Sequence, residues 1–250
     1  MMRVRSLCAV AWLPIALLVA WEVIGRTGSS VYLPPLSKVL DVFFRDWFPG
    51  AFRDDLVPSM IRFAAGFVIA AVLGIAIGIV IGSNTTVSEY TSPILEFMRC
   101  LPAVAVIPVA VYVFGLGDSM RVAVIVFGAF FPILVNSIQG ARSARRERLE
   151  VAQMYGLSRF QMVRRVVFPS ALPMISAGLR VALPISLIMM VLSEIVGGSN
   201  GVGFYMELHQ DLFDIPALFS AIIVLGIVGN IVNGCYGLAE RKVLVWAQHA

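Results

Sequence analysis

The chain has 250 residues, of which 59% are hydrophobic and only 14% are charged, and its mean hydropathy is +0.90. This composition excludes an ordinary water-soluble domain and predicts a protein that is embedded in lipid. The net charge of +4 does not indicate nucleic-acid binding, because seven of the nineteen basic residues fall between Gly140 and Pro169, beside predicted membrane segments.

Six apolar segments predict about six membrane-spanning helices, because a crossing needs roughly 20 residues whose backbone groups bond to one another in lipid. The expected spans are residues 7–25, 63–82, 101–115, 122–138, 171–196 and 216–238. We therefore expect a single all-α domain over residues 1–250, a polytopic membrane helix bundle. The basic start, Met1 to Arg5, is also typical of a signal peptide, but no cleavage site follows, so we expect an uncleaved first span.

An amphipathic helix is predicted between the first two spans, where residues 36–48 carry apolar side chains at helical spacing and charged side chains on the other face. Two placements remain open for it: the outer membrane interface, or the ends of the bundle. In the second span small residues recur at every fourth position and form one ridge: Gly66, Ala70, Gly74, Gly78 and Gly82. We favour packing of this ridge on a helix of the same chain and keep a dimer seam as the alternative.

The distribution of basic residues predicts the orientation of the bundle. They precede the first span, fill the loop after the fourth and follow the sixth: Arg3 and Arg5, residues 140–170, and Arg241 with Lys242. With six spans these three regions lie on one side, which the positive-inside rule assigns to the cytoplasm. Both termini are therefore expected in the cytoplasm.

Two charged residues fall within the fifth span. Arg180 lies about ten residues into it, roughly 15 Å deep, so it should face the bundle interior, either to attract an anion or to form a salt bridge. Glu194 follows fourteen residues later, about 21 Å along a helix, which is too far for a pair with Arg180. We expect Glu194 to be structural, with Arg62 or Arg121 as its partner.

The glycine-rich residues 197–203 contain no GxxxxGK[ST] pattern, so we expect a flexible outer loop or gate and no nucleotide site. Glu207, His209 and Asp211 alternate in the next segment, but this spacing is common in short polar connections and is weak evidence for a metal. The three cysteines lie far apart and form no CxxC pair. We predict neither a metal site nor a catalytic residue.

The most informative segment is residues 150–173, EVAQMYGLSRFQMVRRVVFPSALP, which is too polar to cross a membrane. Its pattern predicts a short helix that Gly156 ends in the left-handed conformation. Ser158, with Gln161 at the capping-box position, predicts a second helix, and Pro169 should end that helix before the fifth span.

Within this segment residues 150–152 read Glu-Val-Ala, Gly156 follows after three residues, and residues 166–169 read Val-Val-Phe-Pro after nine more. The spacing matches the pattern E-A-A, three residues, G, nine residues, I-x-L-P, and the chain resembles the ABC importer permeases that carry it. Apolar residues replace the usual ones at three positions: Val151, Val166 and Phe168. These replacements should preserve the helix, turn and second helix.

Softer motifs resemble the branch of this family that imports sulfonates, taurine, nitrate, bicarbonate or pyrimidine precursors. They are residues 33–40, residues 130–136, Gly178-Leu179-Arg180 with Glu194, and residues 201–203.

The resemblance implies a non-catalytic permease of the bacterial inner membrane whose 140–170 loop is a coupling helix seated in an ATPase groove. The residues carried over for coupling are Glu150, Ala152, Gly156, Val166, Phe168 and Pro169, with Glu150 and Ala152 on the docking face. The implied partners are two ATPase subunits that bind ATP and Mg, an external solute-binding protein, lipid and a second permease subunit, which we expect to be identical. This chain itself should bind no cofactor.

The sequence does not favour two other classes of membrane protein. An ion-gradient-driven secondary transporter should show internal repeats and a set of intramembrane ionisable residues, and the sequence has neither. A polytopic membrane enzyme would need a nucleophile with its base or a pair of carboxylates, and none stands out.

Overall fold

The computed structural model describes residues 2–28, 32–144 and 146–244, and within these ranges the chain is all-α. Helices α1 to α6 are Met2–Thr27, Leu36–Val42, Val57–Gly82, Thr85–Cys100, Ile107–Phe114 and Asp118–Arg142. Helices α7 to α11 are Arg146–Met154, Arg159–Met162, Phe168–Ile195, Val202–Asp211 and Ile215–Val243. A π-helical stretch, Phe43–Leu56, joins α2 to α3, and a shorter one, Val163–Val167, joins α8 to α9. A 3-10 turn, Ala103–Val106, precedes α5.

Four helical stretches of the described chain are long and apolar enough to cross a membrane: Gly50–Gly82, Asp118–Arg142, Arg159–Ile195 and Ile215–Val243. A fifth candidate is a broken span in which α4 and the 103–114 helix meet at 89°. The predicted first span lies within α1. The polytopic helix bundle is confirmed, and the predicted count of six is only approximate.

The predicted third span, residues 101–115, is wrong as a straight crossing. Its helical part covers twelve residues, roughly 18 Å at the α-helical rise, against about 30 Å of hydrocarbon. Leu101 and Pro102 are both extended, because a proline disfavours the helical conformation in the residue before it. The chain therefore turns sharply here instead of continuing from α4.

The small-residue ridge of α3 packs on α6 of the same chain, so the favoured interpretation is confirmed. A Cβ on Gly66 would lie 2.6 Å from Ile125 Cγ2, and one on Gly78 would lie 2.4 Å from Ser137 Cβ. Only glycine permits this close approach of two membrane helices. Helices α3, α6 and α9 form the centre of the bundle, with fully buried Ala129, Ile133 and Ala182 in their shared core.

The predicted amphipathic helix packs on the bundle ends, the second of its two predicted placements. Val42 and Trp47 are buried against α10 and α11, and Trp47 Nε1 donates to Ser220 Oγ at 3.1 Å. Phe44 and Phe48 stand exposed on its other side, stacked with 5.8 Å between their ring centroids.

Candidate functional site

The segment between α6 and α9 folds, as predicted, into a helix, a tight turn and a second helix. Helix α7 ends in a Schellman motif, in which Leu157 N–H donates to the Ala152 carbonyl at 3.2 Å and Gly156 N–H to the Gln153 carbonyl at 2.9 Å. Gly156 has a φ of +70°, so the predicted left-handed residue is confirmed. A Cβ at Gly156 would meet no atom within 4 Å, which leaves backbone conformation as the reason for glycine.

The second helix starts at a capping box, also as predicted. Ser158 Oγ accepts from Gln161 N–H at 3.4 Å, and Gln161 Oε1 accepts from Ser158 N–H at 2.9 Å. The expectation that Pro169 ends this helix is wrong, because α8 runs through the π-helical turn into α9 as one 37-residue helix, Arg159–Ile195. Pro169 follows the π-helical turn directly, and the Phe168 N–H donates to the carbonyl of Val163, five residues earlier. The turn at Gly156 is thus joined by continuous helix to a membrane span.

The expected docking face of α7 needs correction at one residue. Glu150 is exposed as expected, but Ala152 is only 5% exposed. Ala152 lies one turn after Leu149, whose side chain packs on a buried cluster that contains Val167, so this face of α7 points inward. Val166 is half-buried and Phe168 is 39% exposed.

Large apolar side chains surround the turn and point into solvent. Three of them define what we call the apolar tip: Met154 (87% exposed), Tyr155 (82%) and Phe160 (73%). Phe160 is thus exposed, whereas Val167 in the following π-helical turn is buried. Because this loop is too polar to lie in lipid, its exposed aromatic residues indicate a surface that contacts another protein.

At the other end of α9, Glu194 is fully buried at the centre of a polar cluster. Its carboxylate accepts from Arg62 Nη1 at 2.9 Å and from Gly203 N–H at 3.1 Å. Ser59 Oγ lies 2.7 and 2.8 Å from its two oxygens. The predicted pairing of Glu194 with Arg62 is confirmed, whereas Arg121 pairs with Asp118 at 3.0 Å.

Arg62 extends this cluster to two further elements that the sequence analysis missed. Its Nε donates to Asp118 at 2.7 Å, and its Nη2 donates to Asn200 Oδ1 at 2.5 Å. The cluster therefore ties α3, α6 and α9 to the 197–203 loop. Ser59 lies one helical turn before Arg62, and this spacing is the only sequence signal that could have placed it here.

The 197–203 loop is anchored by this cluster, so the expectation of a flexible loop is wrong. Gly201 N–H donates to Asp55 Oδ1 at 2.9 Å, and Val202 N–H donates to Ser59 Oγ at 2.9 Å. A Cβ on Gly201, where φ is +118°, would lie 2.5 Å from Glu194 Cδ. Gly201 therefore allows the backbone to approach a buried carboxylate closely, and mobility is not the reason for glycine at this position.

Arg180 forms an ion pair with Glu240 of α11, which is the salt-bridge alternative for this residue. The same carboxylate accepts from Ser176 Oγ at 2.6 Å, and Tyr236 Oη lies 2.8 Å from that hydroxyl. The Arg180 side chain is 56% exposed in the single chain and lines a groove between α9 and α11.

The weak metal candidate is not assembled. Among the described residues no three His, Cys, Asp or Glu side chains converge on one point. His209 Nδ1 instead lies 3.5 Å from Asp214 Oδ2, and its ring packs on Tyr205 with 4.2 Å between the centroids.

Known proteins similar to this chain agree in sequence and in fold. The family described as "Binding-protein-dependent transport system inner membrane component" matches residues 70–245. The putative aliphatic sulfonates transport permease protein of Bacillus subtilis is 32% identical to this chain, and the alignment covers 94% of this chain and 86% of that protein. The taurine transport system permease protein of Escherichia coli is 28% identical, with 95% and 89% coverage. The bicarbonate transport system permease protein of Synechococcus elongatus is 29% identical, with 91% and 86% coverage.

A solved methionine ABC transporter, in inward-facing conformations, contains a chain similar in fold. It superposes with a TM-score of 0.64 at 18% identity, and the match covers 77% of this chain and 95% of that one. The likeness supports the helix arrangement alone, whereas the family match and the relatives concern the sequence itself. The chain therefore belongs to the binding-protein-dependent transport system inner membrane component family, the multi-pass permease subunits of ABC importers.

Proposed function

We propose that two identical copies of this chain form the membrane path of an importer for a small anionic solute, driven by two cytoplasmic ATPase subunits. The ATPases bind ATP and Mg, and an external binding protein delivers the solute. In this proposal Arg180 and Glu194 hold the bundle together. The alternative, an ion-gradient-driven transporter, is less favoured, because both charged residues already have partners within the bundle.

The observation that carries the proposal is the apolar tip beside the Gly156 turn. Aromatic residues and methionine are enriched where proteins contact each other, and exposed ones outside lipid need such a partner. Arginines of α8 and the following turn, Arg159, Arg164 and Arg165, are exposed nearby and give this surface positive charge. We infer that the tip enters an apolar groove of the ATPase.

The continuous helix Arg159–Ile195 supplies the transmission. At 1.5 Å per residue its 37 residues extend roughly 55 Å, from the apolar tip to the Glu194 cluster. A movement of the ATPase at one end would therefore pass along one helix, through a π-helical turn and two interior prolines, Pro173 and Pro184, to the anchored 197–203 loop at the other end. Such rigid-body transmission through a stiff element is a common form of conformational coupling.

The anionic solute is inferred from the relatives. Aliphatic sulfonates, taurine and bicarbonate are the named solutes of three proteins that align with almost the whole chain. All three carry an oxyanion group, so an anion is the solute class that we propose for this chain.

Changing Phe160 to Asp should abolish ATPase binding without unfolding the membrane bundle. A carboxylate at the centre of an apolar contact is desolvated without a partner, so we expect at least about a tenfold loss of co-purified ATPase. Phe213 is the matched control, because it is equally exposed and lies between α10 and α11, away from the tip. Phe213→Asp should retain the ATPase, and equal retention by Phe160→Asp would remove the tip from the contact.

The proposed orientation predicts the labelling of single cysteines by an impermeant thiol reagent. In a chain whose three native cysteines are replaced by Ser, Phe213→Cys should be labelled from outside intact cells. Ser143→Cys, which follows the last turn of α6, should be labelled only after the cells are opened. Labelling of residue 143 in intact cells would reverse the topology and contradict a cytoplasmic coupling loop.

A further inference from the structure

A groove of about 360 Å³ opens beside the break between α4 and α5. Its walls come from the break itself, from α6 and from α9, and they include Arg99, Leu101, Phe131, Pro132, Asn136 and Val181. The volume is in the range of small-molecule sites. Three of these residues belong to the 130–136 motif, whose role the coupling loop does not explain.

The groove lies at membrane depth. Pro132 is fourteen residues into the 25-residue helix α6, and Val181 is thirteen residues into the 28-residue helix α9, so both are near the middle of their spans. Non-helical backbone at such a depth is tolerated only inside protein or along a water-filled cavity. The extended residues Leu101 and Pro102 therefore favour a groove that faces water or protein over a lipid contact, and Arg99 and Asn136 are the two polar side chains in its otherwise apolar lining.

Arg99 brings a free positive charge to this space. It is the only charged residue among the described residues that line the groove. None of the described carboxylates lies within ion-pair distance of it, including Glu96 one turn earlier on α4. Arg180 is different, because Glu240 already offsets its charge.

Asn136 adds a directed hydrogen-bond donor on the wall formed by α6. Its Nδ2 donates one N–H to the Pro132 carbonyl at 2.8 Å, which fixes the orientation of the side chain. A primary amide carries a second N–H, which remains available to a ligand. A cation and an amide N–H that line the same groove are suited to an oxyanion, which accepts several hydrogen bonds.

We propose that this groove is the oxyanion site of the transport path, with Arg99 supplying the charge and Asn136 a hydrogen bond to the oxygens of the solute. The inference rests on the proposed function and adds to it the place where the solute binds in the membrane. A phospholipid phosphate presents the same chemistry, and the experiment below separates the two sources.

The test is a reporter cysteine, Val181→Cys, in a chain whose three native cysteines are replaced by Ser. The full chain with its ATPase is placed in phosphatidylcholine vesicles, and reaction rates are compared for an anionic probe, sulfonatoethyl methanethiosulfonate, and its cationic trimethylammonioethyl counterpart. We expect the anionic probe to react faster, and Arg99→Gln to lower the anion-to-cation rate ratio by about tenfold. Arg99→Lys should preserve most of the preference.

Arg53→Gln is the matched control, since it removes the charge of another exposed arginine that lies outside the groove, and it should leave the rate ratio unchanged. If Arg99→Gln leaves the anion-to-cation rate ratio unchanged, the proposed oxyanion site is overturned. ATPase binding and solute uptake would still support the importer role in that case. Dodecyl maltoside, a detergent without phosphate, replaces the vesicles in the second arm, and the anion preference should be the same there. An anion preference that appears only in this detergent would mean that a lipid phosphate occupies the groove in vesicles, and would equally overturn the solute site.

Discussion

Replacing Glu194 with Ala should destabilise the bundle more than any other single carboxylate change. The substitution leaves Arg62 buried without its main partner and removes the acceptor of the Ser59 and Gly203 hydrogen bonds. Breaking a buried ion pair typically costs about 3 to 5 kcal/mol, and we expect about 3, because Arg62 retains Asp118. The thermal midpoint of the purified protein in detergent should fall by roughly 10 °C.

Asp211→Ala is the control for this prediction, because Asp211 is an exposed carboxylate in the same outer region. It should change the free energy of unfolding by no more than about 0.5 kcal/mol. The double variant Arg62→Ala with Glu194→Ala should lose less stability than the sum of the single losses, since the two side chains share one interaction. Equal midpoints for Glu194→Ala and Asp211→Ala would show that the cluster does not hold the bundle.

The sequence predicted the pairing of Glu194 correctly because helix geometry limits the choice of partners. The rise of 1.5 Å per residue excluded Arg180 and left arginines on neighbouring spans. The sequence could not predict that Ser59 and Asn200 join this cluster, because their positions depend on how the 197–203 loop folds back over α3. For the same reason the glycines there were interpreted as flexible, whereas the structure uses Gly201 for close contact with the carboxylate.

Prolines caused the errors in the predicted helix boundaries, in two opposite ways. Pro102 was included in a continuous span, although it turns the chain by 89° between α4 and the next helix. Pro169 was expected to end a helix, although the helix continues through it after a π-helical turn. A proline both removes an N–H and fits the first turn of a helix, and only the packing of the flanking segments decides between a break and a continuation.

The loop was predicted best where the signals are local. Gly156 and the capping box of Ser158 concern neighbouring residues only, and both were found as expected. Ala152 was placed wrongly because the side of α7 that faces the bundle is set by its contact with the 163–167 stretch. The groove residue Arg99 was overlooked for a similar reason, since only the bend between α4 and α5 brings it into the same groove as Asn136.

Replacing Gly156 with Val should uncouple transport while the membrane bundle stays folded. At a φ of +70° a β-branched side chain strains the backbone by about 1 to 3 kcal/mol. The strain can be relieved by opening the Schellman turn, which would move the apolar tip out of register with its groove. If about 2 kcal/mol of this strain is subtracted from the free energy of binding to the ATPase, ATPase affinity and ATP-dependent uptake should fall by roughly 30-fold. Membrane abundance should be unchanged, because the spans do not depend on this turn for their backbone hydrogen bonds.

A graded series of variants separates backbone strain from steric conflict at this position. No atom lies within 4 Å of a Cβ built at Gly156, so side-chain size alone should not matter. Uptake should instead follow tolerance of the left-handed conformation, with Gly156→Asn close to the native chain, Gly156→Ala intermediate and Gly156→Val lowest. Normal uptake by the Val variant would remove the turn from the mechanism. Loss of that variant from the membrane would assign the turn to folding, because coupling alone predicts normal abundance with reduced uptake.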